Sequence, residues 1–347
     1  MPDDPEFTKR IHLYKAPSSA FDPLTASPRQ LEELRLPARP RDDQLAALAF
    51  WIELFSAPLK FIEPKFECIH PEPLMRLEAF TVEPDDVGPG QRRSFSNPAR
   101  YERSRNWSGS TLKSRRPERF TGVNAAWTVP TVSVPIVPPV NPAPGNASRD
   151  QYRSSAWVGL NGYRSYPHVT MPQIGTWQHV KLGAGQPSID TAAWWQWWSR
   201  DEVTPIVKFQ NLSVLPGHRV LAGLVVVADD EVVFYIKNQS TGEFAWVLVQ
   251  APPHGEPLGM TAEWVLERPT TPGVQWPWRM PKFSDFTFEH CHALAGQSIV
   301  GSQNVRDLER ARFIRMQERF PAPYRSAYIA VPERSSASRL QIRYREG

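Results

Sequence analysis

Cysteine is scarce: Cys68 and Cys291 are the only two in 347 residues, too few for a disulfide framework. They stand far apart in the chain, which favours packed free thiols over a bridge, although sequence alone leaves the pairing open. Long apolar runs are missing. No stretch approaches the ~18 apolar residues of a membrane-spanning helix, and no apolar export segment follows the charged start MPDDPEFTKRIHLYK. The expectation is a soluble chain, without membrane partners, that stays cytoplasmic unless processed. Charge of one sign is not concentrated either. The formal net charge is +4, spread over small clusters such as Arg92-Arg93 and Lys113 to Arg116. No helix gathers it and no nucleic-acid-binding module is visible, so a solvated surface is the reading and nucleic acid is not an expected partner. Metal-ligand spacing is also wanting. His290-Cys291-His292 has the right residue types, but no second cluster accompanies it, so no metal and no cofactor is expected. There is no internal repeat.

What the chain does have is 36 prolines and 13 tryptophans. Proline is excluded from helix interiors and central strands, so this much of it implies many loops and sheet edges. Tryptophan supplies large apolar bodies with one donor each, suited to a core or an aromatic cleft. The length suffices for one large β domain with an extension, and for a core that needs no staples.

Residues 1–100 differ in character from the rest. Pro28 to Leu34 reads as a short helix capped by Ser27. Gln44 to Phe55 carries Leu45, Leu48, Trp51, Ile52 and Phe55 at helical spacing. Residues 81–105 are polar and read as an exposed linker. The extension is expected to pack on the main domain instead of folding alone. From residue 101 to 347 the pattern changes to short runs rich in Val, Ile, Trp, Phe and Tyr, broken by turn residues. The runs fall at 121–129, 153–160, 168–175, 190–198, 204–210, 218–228, 231–237, 243–250, 260–267, 284–291, 325–331 and 338–345. Asp229-Asp230 reads as a hairpin turn, and residues 305–316 (VRDLERARFIRM) as the one late helix. Many strands without intervening helices predict an all-β fold of two packed antiparallel sheets.

Within this β region an ordered series of short strings stands out. Asn106-Trp107-Ser108-Gly109 is followed by Trp127-Thr128-Val129-Pro130, Ala156-Trp157-Val158-Gly159-Leu160-Asn161-Gly162 and Pro172-Gln173-Ile174-Gly175. Then come Ala193-Trp194-Trp195-Gln196-Trp197 and Ala262-Glu263-Trp264-Val265-Leu266-Glu267. Each string alone is weak, but six in one order are specific. The series resembles the eqolisin family of glutamic peptidases over roughly residues 101–345, and the family's bacterial-type members carry an extension with a string like Phe21 to Ser27. The resemblance implies a concanavalin-like β-sandwich with a cleft on one sheet. It also implies catalysis by Gln173 and Glu263, with Trp157 in the substrate cleft and Asn161, Trp194 and Gln196 beside it. Asn161 and Gln196 stand where the family carries acids.

The residue types fit metal-free amide hydrolysis. A carboxylate can take a proton from water and pass it to the leaving amine. A glutamine NH₂ can donate to the oxyanion, and its carbonyl can hold the water. Strand alternation places Met171 and Gln173 on one face, and Glu263, Val265 and Glu267 on one face of theirs. It also splits the tryptophan cluster, with Trp195 and Trp197 towards the core and Trp194, Gln196 and Trp198 towards the cleft. The expected activity is a metal-independent endopeptidase, monomeric and acting on peptides or unfolded proteins. Its optimum is in acid unless burial raises the Glu263 pKa. The alternative is a catalytically silent sandwich that binds peptide or carbohydrate in its aromatic cleft.

Overall fold

The computed structural model describes residues 5–69, 82–84, 101–137, 150–163, 170–199, 204–253, 255–269, 277–299, 301, 303–319 and 326–346. The apolar and aromatic runs of the β region become strands that fall into two antiparallel layers. In the first layer the order is Phe66–Ile69, Ile206–Phe209, Ser188–Ser199, Thr170–Lys181, Gln151–Leu160, Thr261–Glu267, Trp107–Lys113 and Arg312–Arg319. The second layer runs Glu243–Gln250, Glu231–Asn238, Arg219–Ala228, Arg119–Thr128, Phe286–Gly296 and Asn304–Arg306. Phe286–Gly296 joins the layers. Its first residues pair with Arg339–Tyr344, which continues the first layer, and its later residues pair with Arg119–Thr128. The change of partner coincides with a register shift at His290, whose φ of 53° turns the strand there. Asp229-Asp230 makes the expected turn.

The core lies between the layers. Trp195, Trp264, Val158 and Ile174 from the first meet Trp127, Phe234, Ile236 and Phe288 from the second. Two indole donors are satisfied across this interface: Trp264 Nε1 donates to the Asn124 carbonyl at 2.9 Å and Trp127 Nε1 to Thr176 Oγ1 at 3.1 Å. Burying each such side chain stabilises the fold by about 1.5–3 kcal/mol. The alternation expected for the tryptophan cluster holds, with Trp195 and Trp197 in this core and Trp194 and Trp198 on the opposite face.

The N-terminal residues are woven into both layers. Ser27 caps the helix Pro28–Glu33 in a capping box with Gln30. Leu45–Phe55 is the second expected helix, but its buried face is Ala47, Phe50, Trp51, Leu54 and Phe55. Leu45 and Ile52, read as part of the apolar stripe, are exposed. This face covers Leu221, Val233, Tyr235, Phe244 and Trp246 on the outer side of the second layer. Phe66–Ile69 adds an edge strand to the first layer. Phe7 reaches the core between the layers and stacks on Trp195, with ring centroids 6.0 Å apart.

Three sequence readings are corrected. Residues 305–316 do not form a helix: Asn304–Arg306 is a strand, Leu308–Arg310 a single 3₁₀ turn, and Arg312–Arg319 a strand. Pairing with Trp107–Lys113, Tyr101–Ser104 and Ser326–Ser336 overrides the local helix propensity of this Arg-rich run. Trp107–Lys113 is a strand that the Ser- and Gly-rich string WSGSTLK did not announce. Tyr101–Ser104, at the end of the supposed linker, is also a strand, with Glu102 and Ser104 buried. Residues 85–100 of that linker lie outside the described residues. Cys68 and Cys291 are both free.

Candidate active site

Antiparallel pairing sets the residues of the expected site in one row across the first layer. Gln196 is opposite Gln173, Gln173 opposite Gly159, Gly159 opposite Glu263, and Glu263 opposite Thr111. Gln173 and Glu263 therefore stand two strands apart, roughly 10 Å between backbones, with a glycine between them. That glycine matters. A Cβ at position 159 would meet the Pro172 carbonyl oxygen at 2.9 Å, Trp157 Cζ3 at 3.0 Å and Gln173 Cβ at 3.1 Å. The row thus keeps a gap, free of any side chain from residue 159, between the amide and the carboxyl.

Gln173 is held by its neighbour. Its Nε2 donates to Gln196 Oε1 at 3.1 Å, and Gln196 Nε2 donates to the Thr204 carbonyl at 2.9 Å. A backbone carbonyl accepts only, so Thr204 fixes which end of the Gln196 amide is nitrogen. That in turn fixes Gln173, leaving its Oε1 and its second N–H uncommitted to this relay. Gln173 Oε1 and Glu263 Oε2 are buried with no hydrogen-bond partner. Orphaned buried acceptors are costly, and a pair of them in one row is a place for a water or a substrate group.

Glu263 is fully buried. Burial pushes its carboxyl up to about 7, against opposing hydrogen bonds from the Thr261 side chain, the Gly162 backbone, the Thr111 side chain and the Tyr163 backbone. Thr111 Oγ1 donates to Glu263 Oε1 at 3.3 Å. The turn that presents Gly162 and Tyr163 is shaped by Asn161. This residue has φ 66°, a conformation asparagine tolerates. Its Nδ2 donates to the Thr170 carbonyl at 3.2 Å and its Oδ1 accepts from the Met260 backbone at 2.9 Å. Asn161 therefore ties three segments together beside the row.

Trp157 and Trp194 lie on the same face, in a cluster with Trp107, Met171, Trp177, Trp198, Val265 and Ile314. Glu263, Trp157, Gln173 and Gln196 are all buried. Sequence reasoning missed Thr111, the backbone donors at 162 and 163, and Trp107. A two-residue alternation of Trp107, Gly109 and Thr111 was the available signal. It also missed the group built from Tyr163, Glu102 and Arg312 at the far end of the row. There Tyr163 Oη lies 2.7 Å from both Glu102 carboxylate oxygens, and Arg312 Nη1 donates to Glu102 at 2.9 Å. In the His290-Cys291-His292 string, His290 and His292 have separate side-chain partners. No metal-ligating group of three occurs among the described residues. Instead His290 Nε2 bonds Glu53 at 2.9 Å, and His292 is buried against Asn124.

The strands form a two-layer β-sandwich, with Gln173 and Glu263 buried in one row of the first layer. The Peptidase A4 family model matches residues 105–320, more than half of the chain, and the chain belongs to this family, the eqolisin glutamic endopeptidases. Among solved structures it is similar to scytalido-glutamic peptidase with a transition state analog inhibitor, at 19% identity over 69% of this chain and 98% of that one, TM-score 0.49. It is similar to SCP-B in a complex with the tripeptide Ala-Ile-His at 17% identity, over 69% and 98% of the two chains, TM-score 0.47. Aspergilloglutamic peptidase from Aspergillus niger aligns at 16% identity over 56% of this chain and 99% of that one, TM-score 0.43. A search by sequence among curated proteins finds no match.

Proposed function

We propose that this endopeptidase cleaves peptides or unfolded proteins with a water activated between Gln173 and Glu263, without a metal. The observation that carries this is the row itself: the amide and the carboxyl flank Gly159, and each keeps one oxygen without a protein partner. Ionised Glu263 takes a proton from the water, and the hydroxide adds to the scissile carbonyl carbon. The second Gln173 N–H stabilises the oxyanion that forms. Glu263 then returns its proton to the leaving amine as the carbon–nitrogen bond breaks. Gln196 acts through Gln173 by fixing its amide, and Asn161 acts through the turn that faces Glu263. Trp157 and Trp194 shape the wall that contacts the substrate.

The pH range follows from burial. An unperturbed carboxyl near ~4.3 would put the working range in acid. With Glu263 pushed up to about 7, the base is ionised only as pH rises through that value. Amides at 161 and 196 add no further titrating group to the row. The rate therefore rises as pH passes through about 7.

The test is hydrolysis of a denatured protein from pH 3 to 9 by the wild type, Glu263→Gln and Gln173→Ala. The expected result is cleavage that resists chelation, rises through pH 7, and falls by about 10²-fold or more in both variants. A folded wild type that binds peptide without turnover at any pH would instead establish the silent binding module.

A further inference from the structure

Glu267 lies on the same strand and face as Glu263, in the next row but one, directly opposite Trp107. It is partly buried, and two donors converge on it. Trp157 Nε1 donates to Oε2 at 2.9 Å and Asn106 Nδ2 to Oε1 at 3.4 Å. Asn106 is itself set by Ser104, whose hydroxyl donates to Asn106 Oδ1 at 2.8 Å. The two indoles pack edge to face, with centroids 5.1 Å apart.

Edges of the two rings lie beside the pair. A Cβ at Gly162 would lie 2.8 Å from Trp107 Cη2 and 3.4 Å from the Glu263 carboxyl carbon. The outer ring edge of Trp107 is therefore beside the Glu263 carboxyl. A Cβ at Gly159 would lie 3.0 Å from Trp157 Cζ3 and 3.1 Å from Gln173 Cβ. The outer edge of Trp157 is therefore beside Gln173. Trp157 has its N–H end at Glu267 and its benzo end beside Gln173, and Trp107 packs edge to face on it with its own ring edge beside Glu263.

We propose that Glu267 is a positioning residue that holds the N–H end of Trp157, so that the Trp157 ring edge walls Gln173 and, through its edge-to-face contact with Trp107, the Trp107 ring edge walls Glu263. Its effect on catalysis rests on the reading of that pair given above. The clamp acts in two ways. It fixes the lateral position of Gln173, where an error of about 1 Å can cost roughly 10²-fold in rate. It also keeps apolar ring surface against Glu263, which maintains the desolvation that raises the pKa of that carboxyl. A carboxylate suits the task because it accepts from several donors at once, whereas an amide brings a competing donor.

The experiment uses the full chain labelled with ¹⁵N-tryptophan, with Trp157→Phe and Trp107→Phe assigning the two indole N–H resonances. Glu267→Gln is expected to move the Trp157 resonance and to leave the Trp127 and Trp264 signals in place. In hydrolysis it should lower kcat by about 10- to 100-fold and move the acid limb of the pH profile to lower pH. Trp157→Phe removes the same hydrogen bond from the other side, and its effect should not add to that of Glu267→Gln. An unmoved Trp157 resonance overturns the proposal, as do wild-type kcat, KM and pH profile in Glu267→Gln. If the wild type does not hydrolyse at all, the catalytic reading of the pair falls, and the Trp157 resonance alone decides whether the clamp exists.

Discussion

Glu263 carries a cost for being where it is. In the unfolded chain its carboxyl titrates near ~4.3, and in the fold it is held at about 7 by burial. Below the lower value both states are protonated and the group is neutral to stability. As pH rises between the two, the unfolded chain ionises first and the folded state loses on the order of 3 kcal/mol. Glu263→Gln should therefore melt at the same temperature as the wild type near pH 4 and above it at pH 7, and calorimetry at the two pH values checks this. An inactive variant that is more stable is the signature of a site whose function opposes folding. Gly159 makes a complementary prediction. Gly159→Ala forces a methyl to within 2.9 Å of the Pro172 carbonyl oxygen, which is backbone and cannot simply rotate away. Hydrolysis should fall about 10²-fold with circular dichroism unchanged.

At the scale of elements, the helix Leu45–Phe55 is tied to the second layer by a lysine that a sequence reading would place in water. Lys237 is fully buried. Its Nζ donates to the Ser56 carbonyl at 2.6 Å and the Glu53 carbonyl at 3.3 Å, at the helix C-terminus, where a cation is favoured. Burial lowers its pKa to about 8. Lys237→Met removes both donors and should cost about 1–3 kcal/mol of stability, read by denaturant unfolding. Arg219 completes the attachment by bonding Glu53 at 2.8 Å and Glu289 at 2.5 Å. Strands rich in aromatic and β-branched residues were legible because alternation has one period and one meaning. Arg312–Arg319 was not, because its helix-forming residues are paired with Tyr101–Ser104 and Trp107–Lys113, far earlier in the chain, as well as with the following strand Ser326–Ser336. Trp107–Lys113 was hidden for a different reason: its Ser and Gly residues are buried where neighbouring strands come close, and that shows only when the neighbours are in place.

For the whole molecule, the extension is a structural part of the sandwich. Leu31, Phe50, Trp51, Leu54 and Phe55 cover the outer side of the second layer, and Phe7 enters the core between layers. Removing residues 1–57 should expose Tyr235, Phe244, Trp246 and Leu248 as one apolar patch. The truncated chain is expected to aggregate on expression, which size-exclusion chromatography against the full chain would show. Recovery of a soluble, equally stable monomer would assign the extension a separable role.

The sequence by itself determined the class of fold, the two faces of the strands it announced and the two helices it expected in the extension, because these depend on local period. The tertiary structure decided what the residues on those strands became. Register put Gln173, Gly159 and Glu263 in one row, and burial from every side moved the carboxyl towards neutral pH. Donors from two separate segments met at Glu267. Distance and dielectric are properties of neighbours brought together from far along the chain, and no local pattern encodes them.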